Sequence, residues 1–495
     1  MIAFFVNFPL FSIVLCLLCA VLCALLKGKA ARIVSLSLCG VVAVLAFCVL
    51  VYGLQTGAAT EYPMGHYPHP WGNELRFGIA EPLVALVFAV VMLLCLIGGK
   101  QQLDVDLEPG KRNLYYVMCD LVLVSLLALA YTNDVFTGYV FIEICTIASC
   151  GLLMIRQIGR TTLAATRYMI FSLIGSGLFL LGVILLYGVT GQLLMPSLKA
   201  AIAALWEGGQ YRTALLSAMT LMTVGLAIKS GLFPFHLWMP DTYAYSTPAS
   251  AGILSGLVSK GYSFLLIKLV FGVFGTDVFY GSGVSNVLYV FGALGIIVGS
   301  ISAAREKDVF RMIAFSSAAQ IGYLYFGIGL TPALGMLAAI FHLLTHAVTK
   351  PLLFLAAGQL GEAAGGRLRH TWRGAAHRNR TAGLMFSLGA FSMIGIPLTM
   401  GFVSKYRFAL AAFERPTLLV VTLIVLAVST VLNAMYFMRV IIGIYTPVPE
   451  RRTRMTLREQ RPFAVSSLLL ALLNLSAGVA AQPLVLLLER GLSLL

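Results

Sequence analysis

Three titratable side chains stand in register in the run FHLLTHAVTK (341–350): His342, His346 and Lys350, spaced i, i+4, i+8. On a helix this spacing puts all three along one face, with about 6 Å between successive rungs. That gap is too long for direct proton transfer, but one water molecule bridges it. Histidine changes charge near neutral pH, and burial disfavours the charged form of lysine. The chemistry open to such a ladder is therefore proton binding and release. The structural alternative is two histidines bonded to backbone or Ser/Thr groups on neighbouring helices.

Other ionisable groups share this apolar setting. Glu143, Lys229, Lys260 and Lys405 each fall inside a long hydrophobic run, and Asp120 is a second acid within a span, with no role assigned by its surroundings. A charged residue at the centre of a membrane helix costs about 2.5–3.5 kcal/mol to insert. Lys229, Lys260, Lys350 and Lys405 together would cost about 10–14 kcal/mol if they faced lipid. They must face protein or water, and Glu143 is the acid available to hold a lysine in its charged state. Lys268, near a helix end, is expected to snorkel to the interface, and Arg407 reads as a local structural charge.

The elements that position these groups are membrane helices. Of 495 residues, 60% are hydrophobic and only 11% charged, against about 25% charged in a soluble domain. Fourteen apolar segments are long enough to cross a bilayer: spans 1–14 at 3–26, 33–54, 79–99, 113–131, 134–155, 163–189, 213–239, 248–271, 286–304, 310–330, 333–359, 382–411, 417–445 and 462–489. Residues 193–207 read as a short interfacial helix, and 55–78, with Tyr62, Tyr67 and Trp71, as an aromatic outer loop. Of the 34 Lys and Arg residues, 23 fall in or beside the loops that follow odd-numbered spans and 5 on the other side. By the positive-inside rule the odd loops are cytoplasmic and both termini lie outside. The net charge of +15 thus describes topology in a cell membrane, with lipid as the solvent and no nucleic-acid partner.

Two spans look broken. In span 7, Gly231 and Pro234 follow Lys229; in span 12, Gly395, Pro397 and Gly401 precede Lys405. Proline removes a helix hydrogen bond, and non-helical backbone at membrane depth survives only where protein or water satisfies it. Paired breaks in two halves of a chain point to an ion site at each. Pro351 marks a weak point after Lys350, Pro248 at the start of span 8 is a further helix-break position, and His236 and Asp241 follow the span 7 break as further candidates. All nine cysteines lie in the first 150 residues inside apolar runs. Cys16 and Cys19 form a CxxC without a second pair, so no metal site is expected. The absence of a basic n-region argues against a cleaved signal peptide.

The stretches NDVFTGYVFIEICTIAS (133–149), KSGLFPFHLWMPDTYAYSTPASAGILSGLVSKGY (229–262), FHLLTHAVTKPLLFLAAG (341–358) and IPLTMGFVSKYRF (396–408) resemble those of antiporter-like subunits of the complex I superfamily. The likeness extends over essentially the whole chain. With YPMGHYPHPWGNELRF (62–77), it is greatest to the D-type subunit of Mrp multisubunit cation/proton antiporters; membrane subunits of energy-converting hydrogenases are also similar. The resemblance implies an all-α integral membrane fold of 14 helices. Two inverted five-helix repeats would be formed by spans 4–8 and 9–13, with spans 7 and 12 discontinuous. The corresponding regions are 1–112, 113–271, 272–445 and 446–495. It implies that Glu143 partners Lys229, that Lys260 is the connecting lysine of span 8, that His342, His346 and Lys350 form the central axis, and that Lys405 is the span 12 site. Pro351 and Asp120 depart from the family pattern. No lateral helix extension like that of the largest complex I homologue is expected.

The function expected is proton translocation within a multisubunit Mrp-type Na⁺/H⁺ antiporter, alongside homologous and small membrane subunits. The alternative host is an NADH:quinone oxidoreductase or energy-converting hydrogenase. No cofactor is expected in this chain, since neither a dinucleotide fingerprint in a βαβ setting nor cluster-type Cys spacing is present. A stand-alone solute transporter and a non-translocating scaffold are the readings of other classes.

Overall fold

A computed structural model describes residues 2–67, 72–448 and 460–495. Trp71 and the basic run after span 13 lie outside the described residues. Within them, thirteen helices are long and apolar enough to cross a membrane. The fourteenth crossing is span 12, whose halves Arg380–Ile394 and Met400–Phe413 are each too short to cross alone. Span 11, Leu334–Ala364, is buried along its whole apolar length, while spans 1, 2 and 13 bury well under half of theirs. The histidine ladder therefore sits on the most deeply buried helix, and spans 1, 2 and 13 form part of the lipid-facing rim.

Spans 5 and 10 show the repeat bond for bond. Asp134 caps Val135–Met154 through the Thr137 N–H (2.6 Å), and Asp308 caps Val309–Leu330 through the N–H groups of Phe310 (2.8 Å) and Arg311 (3.2 Å). Val135 donates to the Leu193 carbonyl and Met195 to the Asn133 carbonyl; Val309 donates to Arg367 and Arg369 to Lys307. The offset in residue number is constant across all of these pairs. Span 5 is odd and span 10 even in crossing order, so the same bridge is built at opposite membrane faces. This is the signature of an inverted repeat.

The two broken spans match in the same way. Span 7 runs as a helix over Arg212–Ser230, stops at left-handed Gly231 (φ 83°), and resumes as Met239–Tyr245 after a 3₁₀ turn at Phe235–Trp238. The first half of span 12 stops at left-handed Gly395 (φ 91°). At each break the glycine N–H reaches back four residues and the following N–H five, from Gly231 and Leu232 to Ala227 and from Gly395 and Ile396 to Phe391. This is the αL helix end that glycine adopts without steric cost. The carbonyls it exposes find donors inside the protein. Ile228 accepts from Trp238 Nε1, Met393 from Asn433 Nδ2, and Ile394 from Lys405 Nζ.

Four expectations change. The helix of span 11 does not break at Pro351 but continues through it. A Cβ added to Gly252 or Gly256 of span 8 would come against Pro351, so these glycines form the notch in which the proline sits. Pro248 does not interrupt span 8; it occupies the first turn of that helix, where a missing N–H is harmless. The last span is two helices, Arg461–Val479 and Ala481–Ser493, and the second folds back so that Arg76 donates to the carbonyls of Leu494 and Leu495. The outer loop is a β-ribbon, Thr60–Pro63 paired antiparallel with Glu74–Phe77, tied to the start of span 5 by Asn133 Nδ2 on Glu74 Oε1 (2.8 Å). The interfacial helix forms as expected, at Met195–Glu207, burying Met195, Leu198 and Ile202.

The basic face is clamped across the repeats. Asp241, at the end of span 7, pairs with Arg167 (2.8 Å) and with Arg311, and Arg311 pairs with Glu306 (3.1 Å). Burial alone would raise the Glu306 carboxyl, but Arg311 and the N–H groups of Asp308 and Lys307 outweigh it and hold it below its ordinary value. Because these groups are partly hydrated, Asp241→Ala is expected to cost only about 1–2 kcal/mol, read as a lowered melting temperature of the purified protein.

Candidate proton-transfer axis

Lys229, Lys260 and Lys350 are buried and Lys405 is half-buried, and neutral oxygens hold each of them. Lys229 Nζ donates to Thr146 Oγ1 of span 5 (2.7 Å). Lys260 Nζ folds back onto the Ser255 carbonyl (2.5 Å) and Ser259 Oγ (3.0 Å). Those groups belong to or border a π-turn at Leu254–Val258, a helix irregularity frequent at functional sites. Lys350 Nζ donates to the Ile313 carbonyl (3.0 Å) and to Ser316 Oγ, both on span 10. Lys405 Nζ donates to the Ile394 carbonyl (2.7 Å) at the span 12 break and to Thr430 Oγ1 (3.0 Å).

The ladder on span 11 has the expected rise. The imidazoles of His342 and His346 are 6.2 Å apart and nearly parallel, at 8°. His342 Nδ1 lies 2.8 Å from Ser404 Oγ, the neighbour of Lys405. Both ring nitrogens of His346 and Gln320 Nε2 are buried without a hydrogen-bond partner among the described residues. Leaving such a group unpaired costs about 1–3 kcal/mol, and polar sites of this kind commonly hold buried water. Electrostatically, His346 is within reach of Lys260 and Lys350, and His342 of Lys260, Lys350 and Lys405. The structure thus brings Lys260, His346, Lys350, His342 and Lys405 into one cluster.

Lys229 and Glu143 stand at its edge. The Lys229 ammonium lies over the Tyr262 ring at 5.6 Å. Glu143 is half-buried, one turn from Thr146, and the two charges are not in ion-pair contact; every ion pair among the described residues lies on the basic face. Glu143 shares its helix face with exposed Phe136, Val140 and Ile147, so it borders the outer surface of this chain.

A profile of the transmembrane region of NADH:quinone oxidoreductase and Mrp antiporter proteins matches residues 132–432, which contain every one of these groups. The chain belongs to this family. It is 33% identical over 437 residues to the N-type subunit of NADH-quinone oxidoreductase from Desulforudis audaxviator, covering 86% of this chain and 85% of that one. It is 28% identical over 414 residues to the D-type Na⁺/H⁺ antiporter subunit of Bacillus subtilis, covering 82% and 81%. A chain of the membrane-bound sulfane sulfur reductase, an archaeal respiratory membrane complex, superposes with a TM-score of 0.87 at 28% identity, over 99% of this chain and 97% of that one. A chain of the Mrp complex from Dietzia sp. shares the fold, with a TM-score of 0.88 at 23% identity and the same coverage.

Other groups of this antiporter-like chain find structural places. Lys268 does not snorkel. It is 3% exposed and caps the end of span 4 through the carbonyls of Ala130 (2.7 Å) and Thr132 (2.6 Å). Glu81, in the first turn of span 3, is fully buried and within electrostatic reach of it; sequence reading passed over this pair, although an acid inside span 3 was a visible signal. Asp120 is buried against Ser35, which donates to it, and has no cation partner among the described residues. His236 packs in the span 7 break between Phe233 and Phe315.

Two cavities approach the axis from the membrane faces. One, of about 330 Å³ on the basic face, is lined by Gln102, Asp106, Pro248, Gly358 and Glu362 among others. Burial raises the Asp106 carboxyl although Arg156 beside it acts in the opposite sense. The other, of about 150 Å³, lies on the opposite face and includes Glu61, Arg76, Lys199 and Lys268. Span 8 therefore touches one cavity at Pro248 and the other at Lys268, with Lys260 between them.

Thr146→Val leaves the Lys229 amine without its one hydrogen-bonding oxygen at almost unchanged volume. The expected result is a roughly tenfold slower proton flux with normal assembly, the scale of about 1.4 kcal/mol on one transfer step.

Proposed function

We propose that this chain is a proton-translocating membrane subunit of a multisubunit Mrp-type Na⁺/H⁺ antiporter or of a related respiratory complex. The observation that carries the reading is the central cluster. Three amines and two imidazoles from spans 8, 11 and 12 gather at bilayer depth, Lys260 and Lys350 within electrostatic reach of both imidazoles and Lys405 of His342, and among the described residues no carboxylate contacts any of the amines. A structural role would call for paired charges, because an uncompensated buried charge costs several kcal/mol. Amines held only by hydroxyl and carbonyl oxygens can gain and lose a proton without breaking an ion pair. A proton added at Lys260 repels one at Lys350, and that repulsion drives charge along the row.

Water between the His342 and His346 rings would complete the path to Ser404 and Lys405. The cavities at the two faces supply the approaches: Gly358 on span 11 lies about 12 Å along the helix from Lys350, and Lys268 the same distance along span 8 from Lys260. Glu143, on the outer surface of the chain beside Lys229, would be covered by a neighbouring membrane subunit, which makes this acid–lysine pair the coupling point between subunits. The basic face is cytoplasmic in this reading, with both termini outside a cell membrane. Identity to an N-type oxidoreductase subunit as well as to a D-type antiporter subunit keeps an NADH:quinone oxidoreductase-like host as the second reading.

The test uses inverted vesicles carrying the whole complex, with proton movement followed by a pH-sensitive dye. Lys229→Ala should abolish most of the signal while the complex still assembles on native gels. Unchanged proton movement in an assembled complex would favour a scaffold.

A further inference from the structure

On the basic face five arginines have a carboxylate: Arg112 has Asp104, Arg156 has Asp106, Arg167 and Arg311 share Asp241, and Arg367 has Asp308. Among the cations without one, a single group is gathered into a cavity. Lys307, Arg369, His370, Arg373 and Arg439 converge on a cavity of about 350 Å³ closed on one side by Ile442. These residues come from three places in the chain: the connection between spans 9 and 10, the connection between spans 11 and 12, and the last turns of span 13. Among the described residues no carboxylate lines the cavity, and none of its four Lys/Arg side chains forms an ion pair. Positive charge gathered by folding into one concavity, and left uncompensated there, calls for an anion.

A second observation says which anion. Arg439 interrupts an apolar stripe on span 13. Val428, Val431, Met435 and Ile442 are 41%, 60%, 42% and 62% exposed. At helical spacing all four share one face with Arg439. A hydrocarbon-facing strip thus runs along the helix directly into the basic cavity, at the depth where arginine reaches from a membrane helix into the headgroup layer.

We propose that this cavity binds the phosphodiester headgroup of an anionic phospholipid, with the acyl chains lying along Val428, Val431 and Met435. Basic pockets between membrane helices on the cytoplasmic side recognise such headgroups, and guanidinium groups bind phosphate oxygens in pairs. The site lies apart from the proton axis and does not depend on it.

The purified complex in detergent is titrated with phosphatidylglycerol, phosphatidylcholine or inorganic phosphate, and bound lipid is read by native mass spectrometry. Phosphatidylglycerol should be retained at this chain and phosphatidylcholine lost. The double variant Arg373→Gln/Arg439→Gln should bind phosphatidylglycerol about 25-fold more weakly, roughly fivefold for each arginine removed. Both side chains are exposed, so the melting temperature should not move. Arg439→Lys, which keeps the charge, should retain the lipid and serves if the double variant folds poorly. Equal retention by wild type and double variant would overturn the proposal. So would equal binding of phosphatidylcholine, inorganic phosphate displacing the lipid at equal concentration, or a partner subunit found seated on Arg373 and Arg439.

Discussion

Replacing Lys350 by Met leaves the complex assembled and lowers its proton movement about 100-fold or more, the scale of removing a positioned proton carrier. The two halves of this expectation have separate causes. The amine is fully buried, and its acceptors are Ile313 O and Ser316 Oγ. Removing it orphans neither. The Ile313 carbonyl also accepts from Ser316 Oγ (2.8 Å) and Ser317 Oγ (3.0 Å). Methionine keeps the length and apolar stem of lysine, and replacing a buried charge by a well-packed apolar group is often neutral for stability. Transport has no such reserve. Lys350 is the lowest rung of the ladder and the one nearest the cavity on the basic face, so its loss cuts the row between that cavity and His346. Vesicle assays on the intact complex measure the flux, and native gels measure assembly. A flux within a few-fold of wild type would remove Lys350 from the path.

Gly401→Ala is expected to destabilise the protein by about 3 kcal/mol or more, among the largest effects of any single methyl group. A Cβ at this position falls on the Ser392 carbonyl oxygen, where the two halves of span 12 pass each other. Neither half can retreat. The Gly401 N–H also meets Ser392 Oγ (3.3 Å), and Asn474 of span 14 donates to Ser392 Oγ (3.0 Å) and to Thr349 Oγ1 of span 11 (2.8 Å). Forcing the halves apart pulls Lys405 from the Ile394 carbonyl as well, so stability and flux should fall together. Thermal unfolding of the purified chain reports the first, and an unchanged melting temperature would show that the break is looser than this packing implies.

The residues that break chemical rules were the legible ones. A lysine in an apolar run, a histidine ladder, and glycine and proline inside a span each violate membrane-helix composition. Lys260, His342, His346, Lys350 and Lys405 come together in the cluster, and the breaks of spans 7 and 12 lie beside Lys229 and Lys405, whereas Lys268 caps span 4. The partners of these residues were not legible. Thr146, Ser316, Ser404 and Thr430 are ordinary helix residues in sequence, and only the fold brings them to Lys229, Lys350, His342 and Lys405. Pro351 misled because a missing hydrogen bond is visible in sequence while the Gly252–Gly256 notch that accepts the ring lies on another span. Lys268 misled because nearness to a helix end is not nearness to water: the end of span 4 covers it. For Glu143 the signal was present and unused: Phe136, Val140 and Ile147 share its helical face, and that stripe already places the acid at the surface of the chain.

The most direct measurement is a cryo-electron microscopy map of the assembled complex at a resolution that shows ordered water. Proton transfer along the axis requires water density between the His342 and His346 rings and a continuous polar connection from Lys260 through Lys350 to Lys405. Dry, close-packed side chains filling the space between the two imidazoles, with the lysines isolated from one another by apolar groups, would contradict it.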